Sequence, residues 1–332
     1  MKIKNLQRAM ILLALVSCHI SCMKEAEFNV IPRYSNASDD VTKNIFVSIP
    51  RITHRINASG NYELEIYTSV SNQQNEVIRN LIKQNFKIKY TCDNGSDVCS
   101  NKFLVIQTQQ RIPLAVAITM DYSGSMSDED VLNMEDGVRQ FIQLLEPADY
   151  VQIIKFSRTV EVINEFSNDR NLILNAINRQ FDDRTATAFW ESIYIGLQSV
   201  DAFTRQYASL IFPCVIGFTD GYENVSNASI YDIISTAVTN QTPVYAIGIG
   251  TIDETSMRLI SNRTGGGFYY TESSADIDYL FNNVTTNLEG LYTIVLELKN
   301  ESCTAIEVLV SVEYESASGL HKANSIKSYM LN

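Results

Sequence analysis

Leu114-Ala115-Val116-Ala117-Ile118-Thr119-Met120-Asp121-Tyr122-Ser123-Gly124-Ser125-Met126 is the stretch on which the reading of this chain turns. Residues 114–120 are apolar without alternation, as expected for a parallel strand buried on both faces. The next residues place a carboxylate and two hydroxyls at i, i+2 and i+4 of a tight loop, so Asp121, Ser123 and Ser125 can converge on one point. Gly124 lets that loop curl. All three donors are hard oxygens, which suit Mg²⁺, Mn²⁺ or Ca²⁺ and not zinc or copper. Alone, Asp-x-Ser-x-Ser is a weak pattern; its place between a buried strand and a helix gives it weight. Ser127 to Asp130 resembles a capping box that opens the helix.

Working outward, Val131, Met134, Val138, Phe141 and Leu145 recur at helical spacing. Strands follow over 151–156, 212–218, 244–249 and 268–270. Helical patterns lie near 172–177, 189–200, 230–238, 257 and 277–288. Strands and helices alternate throughout, so residues 112–290 form a doubly wound α/β domain with a mostly parallel sheet, whose ligands lie beyond the carboxyl ends of the strands.

On both sides the period changes to two. Tyr62, Leu64, Ile66, Thr68 and Val70 alternate with polar residues before the α/β domain; Ile306, Val308, Val310, Val312 and Tyr314 do so after it. We expect residues 43–111 and 291–332 to pair into one β-sandwich, with the α/β domain inserted between its strands. Two separate β units would each be small to stand alone.

The N-terminus carries Lys2, Lys4 and Arg8 ahead of a short apolar run, a leader pattern too short to span a bilayer. Residues 1–17 read as a signal peptide ending Leu15-Val16-Ser17 before Cys18, which looks like a lipobox whose thiol carries a lipid; Cys22 is a weaker candidate. Residues 18–42 read as a tether. This predicts a lipid-anchored protein of a bacterial cell envelope, touching membrane through the anchor only. Cys92 and Cys99 flank a turn-rich stretch, which suits a hairpin disulfide better than a zinc site, and Cys214 reads as a buried thiol. The net charge of −12 over 332 residues repels phosphate backbones and argues against nucleic acid as a partner.

Asp121-Tyr122-Ser123-Gly124-Ser125-Met126 resembles the metal-ion-dependent adhesion site (MIDAS) of a von Willebrand factor type A domain. Arg184-Thr185-Ala186-Thr187-Ala188-Phe189-Trp190 resembles the threonine-bearing loop before the third helix of such domains, and Phe218-Thr219-Asp220-Gly221 the Thr-Asp-Gly turn after their fourth strand. Glu146 to Val151, Ala246 to Gly250 and Thr264 to Gly267 match further landmarks in order. The resemblance implies a metal site of Asp121, Ser123, Ser125, Thr187 and Asp220, with Mg²⁺ as the first candidate ion. It also implies an open coordination position that takes an acidic side chain of a protein partner. Tyr122, Trp190 and Tyr222 are candidates for the ligand rim. Asp182 and Asp183 read as solvated loop charges, and Gly265 to Gly267 as a tight turn.

An adhesion or binding module is the expectation, with a scaffold subunit of an envelope complex as the alternative. A metal-assisted hydrolase is disfavoured. His19, His54 and His321 all lie outside residues 112–290, and no Gly-x-Ser-x-Gly elbow is present.

Overall fold

A computed structural model describes residues 42–331 apart from 94, 96, 101, 108–111, 208–210 and 299–302. The signal peptide, the lipidation site Cys18 and the tether lie outside the described residues. Among those described, no helix is long and apolar enough to cross a membrane.

The α/β domain is built on a six-stranded sheet. Its strands are β6 (Leu114–Asp121), β7 (Tyr150–Phe156), β8 (Val160–Val162), β9 (Phe212–Thr219), β10 (Val244–Ile249) and β11 (Phe268–Thr271). They lie in the order β11-β10-β9-β6-β7-β8, all parallel except β8. The helices are α1 (Asp128–Leu144), α2 (Arg170–Asn178), α3 (Phe189–Thr204), α4 (Ile230–Thr239), α5 (Glu254–Thr264) and α6 (Ile277–Glu289). Val116, Ile118 and Met120 of β6 pack with Met134 and Phe141 of α1 and Phe281 of α6. Ala115 and Ala117 face the opposite side, with Ile193 and Leu197 of α3 and Ile233 of α4. Both faces of β6 are covered, which is why its sequence is apolar without alternation. From β6 the chain goes to β7 on one side and later returns to β9 on the other, so the order of strands reverses at β6. Their carboxyl ends form the crevice where such folds place ligands.

The remaining strands are β1 (Ile45–Ile56), β2 (Tyr62–Asn72), β3 (Phe86–Cys92), β4 (Asp97–Ser100), β5 (Phe103–Gln107), β12 (Tyr292–Glu297), β13 (Ala305–Ser316) and β14 (Gly319–Met330). They form two four-stranded sheets, β1-β2-β12-β5 and β14-β13-β3-β4. Each sheet mixes strands from before and after the α/β domain: Ile66 pairs with Ile294, and Tyr90 with Val308. Their inward side chains form one core, including Leu64, Ile88, Ile294 and Val310. On β2, Tyr67 and Ser69 are buried as well, which the period-two pattern did not indicate. The outer face of this strand docks on the α/β domain, where Tyr67 meets Phe212 edge-on at 5.9 Å and Ser69 donates to Asn287 at 2.9 Å.

The expected Cys92–Cys99 disulfide is not formed; Cys92 is bonded to Cys303, with 5.5 Å between their Cα atoms. Register is the reason. β3 and β4 place Thr91 opposite Asp97 and Lys89 opposite Cys99, so Cys99 lies three residues along from the level of Cys92. That offset is roughly 10 Å of strand, beyond the reach of a disulfide. Cys303 instead leads into β13, the other neighbour of β3. Cys214 is buried and forms no disulfide.

The sandwich covers the amino ends of the parallel strands. Lys327 donates to the carbonyls of Pro50 at 2.7 Å and Thr264 at 3.2 Å, bridging β14, β1 and the end of α5. The amide of Ile52 donates to Gln241 at 3.2 Å. Gly265 ends α5 with φ +85°, and a Cβ there would stand 2.4 Å from the carbonyl oxygen of Ile49. The Gly265–Gly267 turn therefore serves helix termination and close packing.

Candidate metal centre

Three loops at the carboxyl ends of β6, β7 and β9 approach one another at the end of the domain remote from the sandwich. The first begins at Asp121, which is fully buried. One oxygen of its carboxylate accepts from the Ser123 amide at 2.7 Å, the other from the Thr219 hydroxyl at 2.5 Å. The loop then turns into α1, capped by Ser127 and Asp130 in a reciprocal capping box with acidic residues in the first turn. Gly124 is required for a close approach: a Cβ there would stand 2.8 Å from the carbonyl oxygen of Arg184 on the second loop.

That second loop is pinned by hydrogen bonds. Ser157, just beyond β7, donates to the carbonyl of Ala186 at 3.0 Å and accepts from the Thr185 amide at 3.0 Å. Arg184 reaches across to Asp128 at 2.6 Å. Thr187 exchanges bonds with Asn224: its amide donates to the Asn224 side chain at 3.0 Å, and its carbonyl accepts from the Asn224 amide at 3.1 Å. The third loop follows β9, where Asp220 accepts from the Ser125 hydroxyl at 2.6 Å. The Ser125 and Ser123 hydroxyls are 3.0 Å apart.

The structure thus brings Asp121, Ser123, Ser125, Thr187 and Asp220 into one cluster. Gly221 leaves the space between them open: a Cβ there would stand 3.0 Å from the Ser125 hydroxyl oxygen and 3.6 Å from that of Thr187. Among the described residues neither Asp121 nor Asp220 forms an ion pair, and no three His, Cys, Asp or Glu side chains converge. Burial pushes the Asp121 carboxyl up to about 7, against the hydrogen bonds from Thr219 and Ser123, and Asp220 adds to the rise. Burial likewise raises Asp220 and repulsion from Asp130 adds to the rise, against the Ser125 hydrogen bond and the charge of Arg184. Two carboxylates, one buried and one half-buried, with neutral hydroxyls and no ion pair of their own among the described residues fit a hard divalent cation, whose charge would offset their burial.

The rim is smaller than expected. Tyr122 is buried, with its ring 5.4 Å from Phe181 and its hydroxyl donating to Glu135 at 2.8 Å. Trp190 is buried against Phe189 at 4.9 Å. Tyr122 and Trp190 point into the two cores because each immediately adjoins a core element, and neither lines a ligand surface. Tyr222 is exposed beside Gly221. Sequence reasoning placed Thr219 in the Thr-Asp-Gly turn but gave it no role; its hydroxyl donates to the Asp121 carboxylate. Its signal was a polar residue closing a buried apolar strand. Asn224 and Ser157, which hold the threonine loop, carried no such signal.

A sequence model of the von Willebrand factor type A domain matches residues 115–283. A protein of Synechocystis, sll0103, is 24% identical over 205 residues, covering 59% of this chain and 48% of its own length. The chain thus spans about half the length of that relative. Among solved structures, a von Willebrand factor type A protein of Catenulispora acidiphila shares 13% identity at a TM-score of 0.48, over 85% of this chain and 74% of its own. Proximal thread matrix protein 1 of the mussel byssus, in a structure with a zinc-occupied MIDAS motif, shares 17% identity at a TM-score of 0.47, over 52% of this chain and 47% of its own.

Proposed function

The chain belongs to the von Willebrand factor type A domain family, and from that premise we propose that it is an envelope-anchored binding module gripping an acidic side chain of a protein partner through a divalent cation, Mg²⁺ first. The observation that carries this reading is the buried Asp121 carboxylate and the half-buried Asp220, held among three hydroxyls with no ion pair to either among the described residues. Asp121, Ser123, Ser125, Thr187 and Asp220 would hold the ion. A bound divalent cation supplies an electrophilic position, since only two carboxylates offset its charge, and there a carboxylate of the partner can bind. The residues around it keep the position fixed: Thr219 orients Asp121, and Asn224 orients Thr187. Support for the envelope comes from the leader and the lipobox-like Leu15-Val16-Ser17-Cys18. Support for binding over catalysis comes from the absence of histidine in residues 112–290.

Calorimetry with MgCl₂ on the chain lacking residues 1–18 tests the site. We expect about one ion per chain, and none after Asp121→Ala with Asp220→Ala. Ion uptake that survives both substitutions would sink the assignment. A partner retained in Mg²⁺ and released by EDTA, and lost in Asp121→Ala, is the expected outcome for function. A partner held equally well in EDTA would place the interface elsewhere.

A further inference from the structure

A cleft of about 510 Å³ opens between β1 and β2 of the sandwich and β11, α5 and α6 of the α/β domain. It lies at the amino end of the parallel strands, three strand positions across the sheet from β6, and shares no residue with the metal loops. Its volume is that of a small-molecule site. Among the described residues no carboxylate, lysine or histidine lines it, and the one formal charge is Arg258, which is paired with Glu254 at 2.6 Å and stacked 4.5 Å over Phe268.

The remaining wall is of two kinds. One is neutral and polar, including the amides of Gln74, Asn262 and Asn283 and the hydroxyls of Ser48 and Ser71. The other is aromatic, with Phe46, Tyr270 and Tyr279 exposed at the cleft. Asn283 is the informative residue. It is 7% exposed, yet its side-chain amide has no hydrogen-bond partner among the described residues. The hydroxyls of Tyr245 and Tyr269, deeper in the same wall, also have none. Among the described residues these groups have no protein partner, and they open onto the cleft, so they are available to hydrogen-bond an occupant in place of water.

We propose that this cleft binds a neutral saccharide. An amide presents a donor and an acceptor side by side, which matches adjacent hydroxyls of a sugar ring. Exposed aromatic faces match the apolar C–H face of the same ring. The lack of carboxylates and of free cations on the wall disfavours metal, phosphate and acidic ligands alike. β1 and β11 are edge strands of their sheets, so an extended peptide is the competing occupant that the test separates.

The proposal stands apart from the metal reading, and its test separates the two. The chain lacking residues 1–18 is applied in EDTA to an array of neutral gluco-, manno-, xylo- and chito-oligosaccharides, with a peptide array in parallel. We expect retention on at least one neutral glycan series, unaffected by EDTA or by Asp121→Ala. Asn283→Leu, which keeps a helix-compatible side chain without the amide, should weaken retention about tenfold, the effect of losing one or two buried hydrogen bonds. Tyr279→Ala removes an exposed ring, leaves the fold intact by circular dichroism, and should weaken it similarly. Absence of any retained neutral glycan overturns the proposal. So does unchanged retention in both variants, or capture of peptides alone.

Discussion

At the scale of single residues, the candidate metal centre rests on side chains outside the set that would hold the ion. Thr219 is the clearest. Its hydroxyl, 2.5 Å from the Asp121 carboxylate, fixes the pose of a fully buried acid. Thr219→Val keeps the shape and removes the bond. We expect Mg²⁺ affinity to fall by about tenfold, roughly 1–2 kcal/mol for a hydrogen bond to a charged group, with the far-ultraviolet spectrum unchanged. Calorimetry decides it, and an unaltered affinity would show that Asp121 keeps its pose unaided. Gly221→Ala acts by volume, since its Cβ would stand 3.0 Å from the Ser125 hydroxyl oxygen. Mg²⁺ binding should be lost while the melting temperature in EDTA moves by no more than a few degrees. Of the candidate donors, Asp121, Ser123 and Ser125 were legible from their spacing, and Thr187 and Asp220 from the resemblance to the family's loops, because a motif records which atoms are needed. Their supports were not, because Asn224 and Ser157 act through loop geometry that only the folded chain defines.

At the scale of elements, what the sequence revealed was period. A strand buried on both faces and helices with a single apolar stripe leave strong local signals, and the doubly wound sheet follows from their alternation. Pairing across long separations leaves none. The Cys92–Cys303 bond depends on β3 lying beside β13, and no local pattern around Cys92 carries that information. The burial of Tyr67 depends in the same way on where β2 docks. The disulfide joins residues 211 apart in sequence. Cys303→Ser should lower stability by about 2–5 kcal/mol, as loss of a native disulfide does. Below the new melting temperature, Mg²⁺ stoichiometry should be unchanged, because the bond lies in the sandwich and the metal loops at the far end of the other domain. A lost metal site with an intact melting curve would contradict that separation.

At the scale of the whole molecule, the two domains meet around a buried cation. Lys327 sits between the carbonyls of Pro50 and Thr264 with Arg51 nearby, and burial, helped by that charge, pushes its amine down to about 7. Between pH 7 and about 10.5 the unfolded chain therefore binds a proton that the folded chain has released. Folded stability should rise with pH across that window, by at most about 1.4 kcal/mol per pH unit from this group, and level off below it. Lys327→Met should flatten the rise, which urea titrations of both proteins at pH 7 and 9.5 would reveal. The interleaving of the sheets has a further consequence, for a chain still being made. β1 to β5 emerge first, and β1 can pair with β2 and β4 with β3, but the second neighbours of β2 and β3 are β12 and β13, beyond the entire α/β domain. That domain has all its own strands and can form earlier, and once formed it holds residues 112 and 290 close together, which shortens the loop the sandwich must close. A nascent chain released before β12 would leave β2 and β3 each with an open edge, the surfaces on which chains aggregate and proteases act. Closing the sandwich is thus an event of late synthesis, and a closed sandwich marks a chain translated through its last strands.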